Sequence, residues 1–479
     1  MQAASPGSAG AAPASHDPAT PLRCWLSLQS DPQVRLSAQP ALALTRSPTD
    51  EAGHLPSIWV HAGRAMQTVL GFGGAFTEAA AVTWQTLPPD QREALLRDYF
   101  DPHAGHGYTL CRVHMNSCDF ALGNYAHVEQ PGDVDLASFD ISRDRQALLP
   151  FIQAALRVAG RPIRLLASPW SPPAWMKDNG QMNQGGRLLP QYRQAWARCY
   201  VRFIQAYAAE GVPIWGVSVQ NEPEASQTWD SCLYSAEEER DFVRDHLGPA
   251  LEAAGLGHIK IIVWDHNRDR LAERASVVYS DAAASRYVWG AGFHWYGEDH
   301  FEQVQLTHDA WPDKHLVFTE GCQEGGPHTG EWALAERYAR AIINDLNHWT
   351  EGWIDWNLLL DASGGPNHVG NLCSAPVLAS RAGDALCHQS SFHALGHFAR
   401  FIQPGANRVL CAASRQVLEC TAALNPDGSL VTVVMNRSDT PQRFALRLTG
   451  TPPDPDRTWQ TRVDLPPRAL LTCVLAPAS

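Results

Sequence analysis

Between residues 69 and 402 the chain alternates short apolar runs, rich in β-branched residues, with longer stretches whose apolar positions recur every three or four residues. The first pattern suits a strand buried on both faces, the second a helix laid against it. Strand-like runs fall at residues 69–77, 108–119, 163–168, 214–220, 259–265, 287–296, 316–319 and 352–361. Helical patterns include 89–100, 147–158, 191–209, 237–254, 331–349 and 393–402. In 89–100, for example, Ala94, Leu95, Leu96, Tyr99 and Phe100 form an apolar face. Eight strand–helix units predict a (β/α)8 TIM barrel. An open doubly wound sheet is the alternative, but it does not require eight units.

Outside that region the rhythm is lost. From residue 408 the pattern is β only: V-L-E-C-T-A-A-L, then S-L-V-T-V-V-M-N after a P-D-G turn, and A-L-L-T-C-V-L-A last. Strand-like patterns at 22–28 and 58–62 precede the barrel without starting a βα unit. Close turn signals predict a small β-sandwich built from both chain ends, residues 22–68 and 403–479, fused to a barrel at 69–402. Residues 1–21 are rich in Ala, Ser, Gly and Pro and lack a charged n-region and an apolar h-region, so they read as a disordered leader.

Composition narrows the function classes. The net charge of −13 and the absence of a Lys/Arg block argue against nucleic acid as a partner. No stretch reaches the ~18 apolar residues of a membrane span. The eleven cysteines are odd in number and scattered, without metal-ligand spacing. They read as free thiols, which with the absence of a signal peptide predicts a cytoplasmic location. The sequon Asn436-Arg437-Ser438 is then expected to stay unmodified. The 17 tryptophans suit core packing, but several fall at strand ends, where an indole face can stack on a sugar ring.

The strand ends carry the chemistry. The run I-W-G-V-S-V-Q-N-E-P-E delivers Glu222 where a buried strand leaves the sheet, and H-L-V-F-T-E-G-C delivers Glu320 in the same way. One such glutamate could be a capped strand end with a surface ion pair. Two of the same design point to a pair of carboxylates meeting at the C-terminal mouth of a barrel, where such folds place their active sites. Other strand ends add Arg112, Asp119, Phe120, Trp170, Trp175, Asn221, His294, Tyr296, Trp353, Trp356 and Asn357. The run Gly71-Phe72-Gly73-Gly74 lacks the glycine spacing and lysine of a nucleotide loop and is expected to allow close backbone approach at the barrel mouth. Two carboxylates among aromatics and hydroxyl-binding groups fit glycoside hydrolysis, with no metal and no cofactor. A partly dry aromatic pocket should raise the acid's pKa, while Arg112 or Tyr296 holds the other carboxylate ionised.

From residue 22 onward the chain resembles glycoside hydrolase family 30, in particular its glucosylceramidase-type members. The matching motifs are G-F-G-G-A-F-T-E, R-V-H-M-N-S-C-D-F, L-L-A-S-P-W-S-P-P-A-W-M-K, N-E-P, H-W-Y, T-E-G-C and G-W-I-D-W-N followed by G-G-P-N. The resemblance implies a retaining β-glycosidase with Glu222 as acid/base and Glu320 as nucleophile. It implies a glycone subsite of Asp119, Trp170, Asn221 and Trp356, with Arg112, His294 and Tyr296 supporting the carboxylates and Asn371 near the entrance; Phe120, next to Asp119 at its strand end, is counted with the substrate-binding residues. The implied activity is exo-acting on β-glucosides, glucosylceramide among them. A β-1,6-glucanase or β-xylosidase of the same family is the alternative, and a non-catalytic carbohydrate-binding protein a remote one. Glu78 stands where the family often has Asp, and residues 123–125 and 224–229 depart from the glucosylceramidase pattern on the aglycone side.

Overall fold

The computed structural model describes residues 21–46, 55–451 and 458–477, so the proposed leader lies outside the described residues apart from Pro21. Eight parallel strands close into a barrel: Gly71–Phe76, Leu110–Met115, Arg164–Pro169, Ile214–Ser218, Lys260–Asn267, Val288–His294, His315–Glu320 and Gly352–Asn357. Glycine serves the barrel wall rather than its mouth. A Cβ on Gly73 would lie 1.7 Å from the carbonyl oxygen of Leu110 on the second strand, so only glycine fits there.

Side-chain alternation along the strands sorts residues between two cores. Cys111, Val113, Leu165, Ala167, Leu316 and Phe318 face the surrounding helices and join their apolar core. Leu110, Leu166, Ile262, Val317 and Ile354 point inward and plug the barrel interior. Two residues further along, the inward positions become polar: Arg112, Ser168 and Thr319 are fully buried. The fifth strand breaks this alternation. Trp264 belongs to the outer core, and the pairing with the sixth strand skips from Trp264 to His266, so Asp265 is an extra residue that turns inward.

The fifth strand also runs two residues beyond the expected 259–265, carrying His266 and Asn267 up to the mouth. The second strand is shorter than expected and ends at Met115, so Asp119 and Phe120 stand on the loop that follows.

Both chain ends build the second unit, as the β-only patterns predict. Among the described residues its ten strands form one continuous hydrogen-bonded sheet that wraps an apolar core, with Leu22, Ile58, Val60, Leu446 and Leu471 among its members. The long strand Ser57–Thr68 joins the two halves, pairing antiparallel with Asn407–Ala413 and parallel with Gln442–Thr449. This unit is fastened to the barrel by buried polar contacts. Gln67 donates to the carbonyls of Leu346 and Thr350, and His397 sits between Ser27 and Thr472.

Candidate active site

Arg112 lies at the centre of the polar layer beneath the mouth. Its Nη1 donates to Glu320 Oε2 at 2.5 Å, its Nη2 to Asp265 Oδ2 at 2.7 Å and Asn221 Oδ1 at 2.9 Å, and its Nε to Ser168 Oγ at 2.9 Å. The guanidinium also lies under the Trp170 ring, 4.7 Å from its centroid. Asp265 collects donors from around the barrel: Ser218 Oγ at 2.5 Å, Thr319 Oγ1 at 2.6 Å and His294 Nε2 at 3.0 Å. The other ring nitrogen of His294 is 3.2 Å from Glu222 Oε1. Tyr296 donates its hydroxyl to Glu320 Oε1 at 2.9 Å. An oxygen of Glu222, an oxygen of Glu320 and a ring nitrogen of His294 all lie within 4.8 Å of one another.

Above this layer the two glutamates face a pocket of about 220 Å³. Asp119, Trp170, Trp356, Asn221, Tyr296 and Asn371 line it. The Trp170 and Trp356 rings stack at 5.0 Å, and Asn371 Nδ2 donates to Asp119 Oδ2 at 3.1 Å. Glu222 is placed by a left-handed backbone turn, φ +48°, and by its N–H bond to the carbonyl of Asp265 at 3.0 Å. Non-glycine residues are held in this region only when the surroundings over-determine them.

Burial and charge act in opposite directions on these groups. Burial alone would lower the His294 pKa, but Glu320, Asp265 and Glu222 around it raise it to about 9, so it is an imidazolium at neutral pH. Burial would raise Asp265, yet Arg112 and His294 hold it well below the usual carboxylate range. At Glu222 burial again pushes upward, and the His294 hydrogen bond, aided by His266 and Arg112, overrides it to lower the pKa. Glu320 is raised, chiefly by burial and with the carboxylates of Glu222 and Asp265 adding, against His294 and Arg112. Asp119 is raised strongly by burial and by Glu320. The expected order for the two glutamates is therefore reversed. Aromatic walls are a weaker influence than a charged histidine at hydrogen-bond distance.

Carboxylates, indoles and a buried arginine at the mouth of such a barrel are glycosidase equipment, and comparison with known proteins settles the family. The Glycosyl hydrolase family 30 TIM-barrel domain matches residues 69–402, and the Glycosyl hydrolase family 30 beta sandwich domain matches residues 405–473. The chain belongs to glycoside hydrolase family 30. It is a glycoside hydrolase. Mouse lysosomal acid glucosylceramidase is 39% identical over 395 residues, covering 78% of this chain and 76% of the relative. An endo-1,6-beta-D-glucanase of Neurospora crassa is 30% identical over 390 residues, 78% of this chain and 79% of that one. The crystal structure of SrfJ from Salmonella typhimurium superposes with a TM-score of 0.89 at 37% identity, covering 96% of this chain and all of the other.

Against this family 30 frame, the predicted site residues sort into two tiers. Glu222, Glu320, Asp119, Trp170, Asn221, Tyr296, Trp356 and Asn371 line the pocket, whereas Arg112 and His294 lie beneath it. Phe120 is not among the lining residues; it packs edge-on against Trp356, 6.1 Å between centroids, and props the indole from behind. Trp353 is buried in the outer core against Phe318, and Trp175 packs on Tyr192. Glu78 is also away from the pocket. It pairs with Arg143 and accepts the Leu122 N–H, bracing the loop that carries Asp119.

Sequence reasoning missed the hub Asp265 and, on the rim, Gln227, Trp229, His266 and Asn267. Asp265 had a signal, an acidic residue closing an apolar strand just as Glu222 and Glu320 do. Strict alternation would have turned it out of the barrel.

Proposed function

We propose that this protein is a retaining, exo-acting β-glucosidase of the glucosylceramidase type. The observation that carries the reading is the spacing of Glu222 and Glu320, whose nearest carboxylate oxygens lie within 4.8 Å across a pocket of about 220 Å³. Retaining pairs sit about 5–5.5 Å apart, whereas inverting pairs leave room for a water between them at about 6.5–9.5 Å.

In the proposed reaction a Glu320 oxygen attacks the anomeric carbon as the bond to the leaving oxygen breaks. Arg112 and Tyr296 orient Glu320 for this attack, each donating to one of its oxygens. Glu222 protonates the leaving oxygen, and the His294 imidazolium bonded to it makes the proton a property of the pair. Water then attacks the same carbon, gives its proton to Glu222 and releases the sugar from Glu320. Asn221 offers its amide to the sugar's 2-hydroxyl while Arg112 holds its Oδ1. Asp119 binds further ring hydroxyls, and the stacked indoles cover an apolar face. The pocket is smaller than the ~300–1,000 Å³ of sites for larger ligands, which supports one terminal sugar as the bound unit.

Trapping tests the reading. A 2-deoxy-2-fluoro-β-glucoside with a good leaving group should add one fluoroglucosyl mass to the peptide containing Glu320. Inactivation without that adduct, or an adduct elsewhere, would remove Glu320 as nucleophile.

A second reading, a β-1,6-glucanase, draws on Gln227 and Trp229 at the rim, where an indole could carry a second sugar ring, and on the 30% identical glucanase relative. For location we propose a reducing compartment, a reading supported by eleven unbridged cysteines. Titration of fewer than eleven thiols in freshly isolated native-source protein would count against it.

A further inference from the structure

The inward turn of Asp265 depends on Trp264 and Asp265 together, both left-handed at φ +70° and +52°. Neither is glycine, and such residues persist only where their surroundings over-determine them. What holds them lies outside the pocket. Glu239, on the helix Ala236–Phe242, accepts the Trp264 N–H at 2.8 Å through Oε1. Its Oε2 takes Arg274 Nη2 at 3.2 Å, and the Arg274 guanidinium lies 4.9 Å from the Trp264 ring centroid. Arg274 Nη1 reaches on to Glu224 Oε1 at 2.9 Å, two residues beyond Glu222. The helix itself is anchored by a capping box between Ser235 and Glu238.

We propose that Glu239 is a positioning residue for the acid/base step, acting through the Trp264–Asp265 bulge on Glu222. This rests on the assignment of Glu222 as acid/base. The bulge presents two groups at once. The Asp265 carbonyl receives the Glu222 N–H, and the Asp265 carboxylate receives the His294 ring that bonds Glu222 Oε1. Glu239 and Arg274 are almost fully buried, and neither lines the pocket. With Glu239 removed, a buried N–H loses its acceptor, the bulge is free to relax, and Glu222 shifts relative to its proton partner. Glu320 is reached from Asp265 only through Arg112 and is bonded by Tyr296 as well, whereas Glu222 is bonded to Asp265 directly, so the effect falls more on proton donation than on nucleophilic attack.

The test compares Glu239→Ala and Glu239→Gln on two substrates, 2,4-dinitrophenyl and phenyl β-glucoside. The first leaves without protonation and the second does not. Glu239→Ala should lose about 10- to 100-fold in kcat/KM on the phenyl glucoside, part of the 10²–10⁴ a general acid supplies, while staying within about threefold on the dinitrophenyl glucoside. Glu239→Gln keeps an acceptor for the Trp264 N–H and should restore most of the loss. Equal losses on both substrates, no loss on either, or no rescue by Gln would overturn the proposal. Should Glu239→Ala fail to fold, Arg274→Gln removes the partner of Glu239 Oε2 and one of the two arginines on Glu224, and should show the same leaving-group-dependent loss; equal losses there overturn it too. Glu222→Gln on the same substrates separates the two levels of inference. If it spares the dinitrophenyl glucoside, the acid/base assignment stands and Glu239 is judged alone; if it loses both equally, that assignment falls first.

Discussion

Arg112 and Asp265 meet at 2.7 Å with both side chains fully withdrawn from solvent, and both candidate catalytic glutamates are tied to that pair. Glu320 is bonded to Arg112 directly, and Glu222 reaches Asp265 through His294 and through its own backbone N–H. One buried ion pair thus sets the position and charge of both carboxylates.

Breaking that pair should be costly for stability as well as activity. Asp265→Ala leaves Arg112 short of a counter-charge and His294 without its Nε2 partner. Removing one member of a buried ion pair typically costs about 3–5 kcal/mol. Urea denaturation at neutral pH should show a loss of that order. A loss under about 1 kcal/mol, the scale of an exposed pair, would mean that the site reorganises around Arg112 without Asp265.

Stability should also fall as pH rises through the His294 titration. Its folded pKa of about 9 lies above the ordinary 6.5, so the charged ring stabilises the native state fully below pH 6.5. That contribution should fade as the pH passes about 9. It amounts to roughly 3 kcal/mol from the displacement of one proton equilibrium. Denaturation midpoints at pH 6 and 9.5 should differ in the wild type and much less in His294→Asn. Equal pH slopes in the two proteins would place the charge elsewhere.

The two glutamates should respond differently to the leaving group. Glu320→Gln should lose turnover on every substrate, because no glycosyl-enzyme forms. Glu222→Gln should retain activity on 2,4-dinitrophenyl β-glucoside and gain from added azide, with β-glucosyl azide as the product. Recovery of α-glucosyl azide, or azide rescue of Glu320→Gln instead, would exchange the roles.

Sugar specificity should rest on Asp119. Burial and Glu320 raise its pKa, and Asn371 is bonded to its Oδ2, so Oδ1 is the oxygen that meets ring hydroxyls. Asp119→Ala should reduce kcat/KM by about 1–3 kcal/mol for glucosides, the cost of an unmet buried polar group, and by less for substrates lacking the hydroxyl it binds. A uniform loss across deoxy-glucosides would show that Asp119 reads no hydroxyl.

Product patterns should separate the exo reading from the glucanase reading. A closed pocket for one sugar should release glucose first from a β-1,6-glucan and from aryl β-glucosides. It should also cleave glucosylceramide presented in detergent. Early disaccharides or longer oligosaccharides from the glucan would mean a cleft open beyond Trp229, and the endo-acting alternative would replace the exo one.

Much of this was legible in the chain. Apolar runs alternating with helical periodicity defined the eight barrel units, because a strand buried on both faces and an amphipathic helix leave different local patterns. Glu222 and Glu320 stood out because a carboxylate at the end of an apolar run is an anomaly visible within a few residues. Trp170, Trp356 and Asn221 could be read for the same reason, as strand-end residues of a recognisable motif. What tertiary structure alone decided involves contacts between distant segments. The inward turn of Asp265 follows from a bulge held by Glu239 on a neighbouring helix, and it contradicts the alternation that the fifth strand shows locally. The lowered pKa of Glu222 depends on an imidazolium supplied by the sixth strand, 72 residues away. Phe120 stands behind Trp356, and Gln227, Trp229 and His266 reach the rim, because loops and the extended fifth strand converge there. Local periodicity records which way a residue faces its own strand, but the field at a buried carboxylate is a sum over neighbours that only the closed barrel brings together.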